Sequence, residues 1–202
     1  GASAYVRMMN NDYLQQHVEG DVPATAWAFM GKSVLAEPGI FAEYTYQIEE
    51  KFSLVAGLRG DYNAFHDRFF ATPRGHLRWN ITPLLALRLS AGLGYRSTNI
   101  ITDNIGVLAT GRKLVFNDGN YTPGWFNEFA RMEEALTMGG SLTQTFSLAG
   151  YENATLSFDY FRTEFDNAVV VDQEWDPTLI NVYNTDGKSY TDTYQIDFSW
   201  TP

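Results

Sequence analysis

The chain has 202 residues, 45% hydrophobic and 15% aromatic, with a formal net charge of −10. An acidic balance argues against nucleic-acid binding, which needs a basic face, and the lack of cysteine excludes a disulfide framework or a thiolate metal site. No apolar run approaches the ~18 residues of a transmembrane helix, but strands that cross a bilayer show only alternation.

In chain order, Ala2 to Leu14 reads as a first strand, with Ala4, Val6 and Met8 against Tyr5, Arg7 and Met9, followed by a long polar connection to about Ser33. Val34 to Gln47 is predicted as the second strand and Lys51 to Ala64 as the third, joined by a short turn at Ile48-Glu49-Glu50. A modest loop over His66 to Phe69 leads to the clearest period-2 stretch, Thr72 to Ser97, which supplies strands four and five around a turn at Asn80 to Pro83. There Leu77, Trp79, Leu85, Leu87, Leu89 and Leu93 point one way, and Arg74, His76, Arg78, Arg88 and Arg96 the other. Proline cannot donate to a ladder, which suits Pro83 to a strand boundary. Thr98 to Arg131 is the longest irregular segment, interleaving glycine with Phe116, Tyr121, Trp125, Phe126 and Phe129, and Asn99 to Leu108 is expected to form a helical turn. Loops of this length are usually functional or disordered, and the aromatics favour an ordered, ligand-facing one. Strand six is predicted over Glu133 to Leu148, a turn over Ala149 to Asn153, strand seven over Ala154 to Asp172 and a loop over Gln173 to Gly187. The last strand alternates Tyr194, Ile196, Phe198 and Trp200 with Gln195, Asp197 and Ser199.

The fold class is therefore all-β: an antiparallel up-and-down meander of about eight long strands. Connections after strands two, four and six are tight, and those after one, five and seven are long. Membrane barrels sort their connections in this way, short on the periplasmic side and long outside. Tyr44, Tyr46, Tyr62, Trp79, Tyr95, Phe198 and Trp200 fall on apolar faces near strand ends, where interfacial girdles sit. The polar face, with Glu43, Arg59 and Asp61 beside the arginines already named, is rich in Arg and Gly where a soluble exterior favours Lys and Glu. It reads as a lumen wall.

Catalytic and metal signals are weak. His17, His66 and His76 lack ligand spacing, and Tyr183 to Gly187 lacks the acidic first and twelfth positions of a calcium loop. No nucleophile is paired with a histidine, and neither enzymatic activity nor a cofactor is expected. The acids Glu164, Asp166, Asp172, Glu174, Asp176 and Asp186 read as a solvated rim.

Several phrases resemble TonB-dependent outer-membrane receptors of the form common in Bacteroidetes. They are GIFAEYTYQIEEKFSLVAGLRGDYN (Gly39 to Asn63), FATPRGHLRWN (Phe70 to Asn80), LRLSAGLGYRSTNIITDNIGVLATGR (Leu87 to Arg112), LTMGGSLTQTFSL (Leu136 to Leu148), LSFDYFRTEFDNAVVVD (Leu156 to Asp172) and YNTDGKSYTDTYQIDFSW (Tyr183 to Trp200). The resemblance implies a Gram-negative outer-membrane location and a roughly 22-stranded barrel filled by a plug. It also implies active uptake of a scarce nutrient of the siderophore, vitamin or glycan class. Residues 1–202 are then expected to be one partial barrel domain, an internal piece without the plug or the closing strands. The implied partners are outer-membrane lipid, the receptor's own plug, TonB and a small-molecule or oligomeric nutrient. With tight turns periplasmic, the segment 98–131 is extracellular. Arg96, Asp61, Arg74, Tyr121, Trp125 and Phe126 are then the substrate-side candidates, and Arg78, Arg88, His76, Glu43 and Arg59 the plug-facing wall. The alternative is a complete eight-stranded outer-membrane barrel with a structural or adhesive role, which requires the first strand to pair with the last.

Overall fold

The computed structural model describes residues 1–19, 22–64, 66–96, 98, 103–104, 106, 112–116, 132–148 and 150–200. Eight strands form one sheet: β1 (Ala2–Glu19), β2 (Val22–Ile48), β3 (Phe52–Asn63), β4 (Arg68–Thr82), β5 (Leu85–Arg96), β7 (Glu133–Leu148), β8 (Tyr151–Asp166) and β11 (Ser189–Trp200). They neighbour one another in that order, each pair antiparallel. Three short strands, β6 (Lys113–Phe116), β9 (Val169–Asp172) and β10 (Leu179–Asn184), make a second sheet in the order β6-β10-β9. The up-and-down meander expected from alternation is what forms.

Register keeps the two faces separate. Leu54 lies opposite Leu77, which lies opposite Leu89; Trp79 lies opposite Leu87, then Leu142, then Phe158, then Ile196. Side chains directly opposite share a face, so Leu87 and Arg88 point to opposite sides. Among the described residues no second layer covers the apolar face: Ile40, Leu58, Leu89, Leu142, Phe158, Ile196 and Phe198 are all exposed. Contiguous apolar surface of this extent marks a membrane or protein contact. Near the end of β8 the face turns polar. Arg162 meets Glu164 at 2.9 Å and Asp192 at 3.5 Å, with its guanidinium 4.1 Å over the Tyr190 ring, and the Tyr160 hydroxyl donates to Asp192 at 3.0 Å.

Three sequence-based expectations differ. The expected polar connection before Ser33 is strand: β1 and β2 pair from Ala2–Ile40 to Glu19–Val22, leaving only Gly20 and Asp21 to join them. The segment is not uniformly polar, since Val22 to Met30 reads VPATAWAFM, and a hairpin satisfies the backbone groups along its whole length. The expected seventh strand breaks at Asn167, which has φ 56°. Asparagine tolerates this left-handed region, and the chain resumes as β9 in the other sheet. The expected loops Thr98 to Arg131 and Gln173 to Gly187 contain β6 and β10, which pair in parallel, so the fold is not wholly antiparallel. Parallel pairing of two distant loops leaves no local alternation long enough to read. The first-to-last pairing that the complete eight-stranded alternative requires is not seen among the described residues: β1 and β11 occupy opposite edges, and the eight strands form an open sheet.

The three tight connections fall as expected, but the one after β1, expected to be long, spans only two residues. Ile48 to Phe52, Thr82 to Leu85 and Leu148 to Tyr151 are short and lie at one end. Two of these turns are tied together, because Asn80 N donates to Lys51 O at 2.8 Å and the Asn80 side chain donates to Glu50 O.

Candidate functional site on the polar face

Starting from the short-turn end, the polar face carries its arginines at four heights. Arg78 and Arg88 are lowest, four residues before Thr82 and three after Leu85, and stand opposite each other. His76 shares the face, opposite Val55 and Ser90. Ser141 neighbours Arg88 on β7, and Asp159 neighbours Ser141 on β8.

At middle height Arg74 reaches across β3 to Glu43 on β2, at 2.7 Å. Gly57 lies opposite both, and a Cβ there would sit 2.9 Å from Arg74 Nε and 3.0 Å from its Cγ. The missing side chain is what opens the path. One turn of the alternation higher, Arg59 Nε and Nη2 donate to the two Asp61 oxygens at 2.7 and 2.6 Å. Asp61 is 5% exposed, and a Cβ on the facing Gly39 would overlap its carboxylate. Phe41 and Phe70 stand opposite Arg59 and Asp61 and border, with Thr72 and Arg74, a depression of about 640 Å³. Above Arg74–Gly92 the β4–β5 ladder stops. The next β4 residue is Pro73, which has no N–H to continue it, and the rings of Phe70 and Tyr95 meet there, centroids 5.0 Å apart.

At the long-connection end Arg96 contacts Asp103 at 2.8 Å and Glu133 at 3.6 Å, and Glu133 also accepts the Val169 N–H at 2.8 Å. Asn63, fully buried, donates to Glu37 at 2.6 Å and accepts the His66 N–H at 2.9 Å. The His66 imidazole is pushed below its ordinary range by burial and, secondarily, by Arg68. Asp176 is held below its usual range by the Thr178 hydroxyl and N–H, whose bonds close a turn. Two other rim acids are likewise engaged: Asp172 accepts the N–H groups of Glu174 and Trp175, and Asp166 faces Lys188 at 3.7 Å.

A family model described as TonB dependent receptor-like, beta-barrel, matches residues 4–201. The chain belongs to the TonB-dependent receptor family. Barrels of this family are outer-membrane proteins, and the family is one of receptors and not of enzymes. No curated protein matches the sequence. Among solved structures, the chain is similar to a mutant ferric enterobactin receptor, PfeA, from Pseudomonas aeruginosa in complex with enterobactin. The two share 15% identity at TM-score 0.57, over 82% of this chain and 24% of that one. It is also similar to the siderophore receptor PirA from Pseudomonas aeruginosa, with 13% identity and TM-score 0.58, over 83% of this chain and 31% of that one. At these identities the likeness is one of fold. The chain spans about a quarter to a third of the solved receptors it matches.

In this TonB-dependent receptor barrel the two residue groups drawn from the sequence interlock. Arg59, expected on the plug side, bonds Asp61 from the substrate side, and Glu43 likewise bonds Arg74. Arg96 lies apart from both, beside Asp103 of the long connection and Glu133 at the start of β7. Tyr121, Trp125 and Phe126 lie outside the described residues, as does most of the helical turn expected over Asn99 to Leu108. Sequence reading missed Glu37, Asn63, Phe41 and Phe70. The alternation assigns all four to the polar face, but a lone acid, amide or ring there carries no mark until its neighbours are known.

Proposed function

We propose that the chain is a wall segment of a larger TonB-dependent receptor of Bacteroidetes type, which imports a scarce nutrient across the outer membrane. The observation that carries this reading is an open eight-stranded meander with one lipid-ready face and one face lined with arginines. Such a wall has no covering layer of its own, and only a closed barrel in lipid satisfies both faces and both edges. The unpaired β1 and β11 edges favour it over the small complete barrel. The enterobactin in the PfeA complex supports a siderophore as the first nutrient to try, with vitamins and glycans as the other classes.

In this reading the tight turns are periplasmic and the segment 98–131 is extracellular. Asp61, Arg74 and Arg96, with Tyr121, Trp125 and Phe126, face the substrate; Arg59 and Glu43 act by holding Asp61 and Arg74. Arg78, Arg88 and His76 face the plug, and TonB supplies energy from the inner membrane. Arginine grips carboxylate or phosphate with two donors, and Tyr and Trp give large contact area at low entropic cost. In cells carrying the intact receptor, nutrient uptake should depend on the receptor and on the proton gradient. Arg96→Ala with Trp125→Ala should weaken surface binding by about tenfold or more. Uptake that persists without the gradient sinks the transport reading, and unchanged affinity in the double variant sinks the substrate placement.

A further inference from the structure

The arginines of the polar face are not treated alike. Arg59, Arg74 and Arg96 are each answered by a carboxylate of this chain within 3 Å. Arg78 and Arg88 stand directly opposite each other, and among the described residues neither has a carboxylate at ion-pair distance. Arg78 Nε donates only to the neutral Asn80 side chain, at 3.2 Å. Like charges directly opposite on adjacent strands destabilise a sheet, and a chain of net charge −10 does not lack acids to place there. The cross-strand neighbours are short: Ser53 beside Arg78 and Ser141 beside Arg88. They leave a depression of about 380 Å³, with Asp159 at its far rim.

We propose that Arg78 and Arg88 form a two-armed clamp for one carboxylate, an Asp or Glu side chain on a protein segment packed against this face. The inference rests on the wall-segment reading and adds the chemistry of the partner: the bore-filling segment is acidic where it meets this height. Charge complementarity selects the partner's sign, and geometry selects its kind. A small free anion on so open a surface stays hydrated and screened. A carboxylate delivered by a packed segment has its position set by the segment's other contacts, and charge-assisted bonds to two guanidinia then form in a water-poor gap. One carboxylate between two guanidinia converts the repulsive pair into a bridge from β4 to β5 and onward to the partner.

The test uses the intact receptor in outer membranes. In the R88K variant, a carbodiimide couples the lysine amine to any carboxylate it touches, and the amide is mapped by mass spectrometry. The expected product joins position 88 to an Asp or Glu of the bore-filling segment. Coupling to Asp159 alone overturns the clamp, since Asp159 is then the counter-ion. No coupling, from an amine shown to react with a small acylating reagent, also overturns it and points to a small anion or to water. As a second readout, R78Q/R88Q should speed protease cleavage of the bore-filling segment about tenfold or more, the scale on which unpairing a buried charge acts; an unchanged rate counts against the clamp. Nutrient uptake by the unaltered receptor separates the two ideas. Uptake with negative coupling fails the clamp alone, and absent uptake fails the wall-segment reading.

Discussion

Leu89 offers the sharpest test of which face meets lipid. It lies on β5 four residues from Leu85, opposite Leu77 and Gly140, and is 45% exposed on a face with no covering layer. A strand crosses a bilayer in about 9–11 tilted residues, so a residue four steps in sits near the midplane. Arginine at that depth on a barrel exterior costs about 2–4 kcal/mol, a fall of about 30- to 900-fold in the folding equilibrium. The control is Thr137→Arg, opposite Gly92 on the polar face. It forfeits an exposed hydroxyl pair with Thr163 at 3.1 Å, worth at most about 0.5–1.5 kcal/mol, and places its charge in a water-filled or protein-lined bore. Urea titration of the receptor folded in phospholipid vesicles, followed by tryptophan fluorescence, gives both free energies. Leu89→Arg should be the costlier by about 1–3 kcal/mol. Equal costs would mean that neither face meets lipid, and a reversed order would turn the sheet inside out; either result refutes the assignment.

Gly57→Ala should leave stability within about 1 kcal/mol, because a strand alanine gains roughly 0.5–1 over glycine while the exposed Arg74–Glu43 pair loses roughly 0.2–1. Its ligand affinity should nonetheless fall as far as in Arg74→Ala, and wild-type affinity would show that the reach across β3 does not matter. Asn63→Ala removes a buried amide that donates to Glu37 and accepts from His66. It should cost about 1–3 kcal/mol, read as faster amide exchange at Ala64 and His66, and native exchange there would dismiss the tie. His66 has a folded-state pKa below its ordinary 6.5, so the unfolded state takes up the proton first and stability rises with pH. The contribution is fully present above pH 6.5 and declines as pH falls below it. Local opening of the β3–β4 connection should therefore increase from pH 7.5 to 5, and His66→Gln should flatten the profile.

How far the sequence could be read depended on the range of the interaction. Strict alternation from Leu85 to Arg96 assigns every side chain of β5 to a face without help from any partner, and the register agrees throughout. The Gly57 gap needed more, since its meaning depends on Glu43 and Arg74 arriving from two other strands. Leu114 and Ile180 pair from loops separated by two full strands, and strands of four and six residues are too short to show a period. The β1–β2 hairpin was missed for the opposite reason. Its outer half is polar from Asn10 to His17 except at Tyr13 and Leu14, and Pro23 interrupts the apolar run Val22 to Met30, so only the two-residue gap at Gly20-Asp21 carries the turn signal.

The small sheet constrains how receptors of this build can exchange specificity. Because β10 pairs with β6 from the connection after β5 and with β9 from the connection after β8, neither connection can be replaced alone without orphaning the backbone of the other. Arg112 adds to the tie by donating to Gln173 O at 2.8 Å. The two connections flank the β7–β8 hairpin, so everything they share lies in one uninterrupted stretch between Arg96 and Ser189. That stretch is the natural unit of recombination: a single crossover at each end moves both loops and the hairpin that spaces them, and a chimera cut inside it breaks the weave.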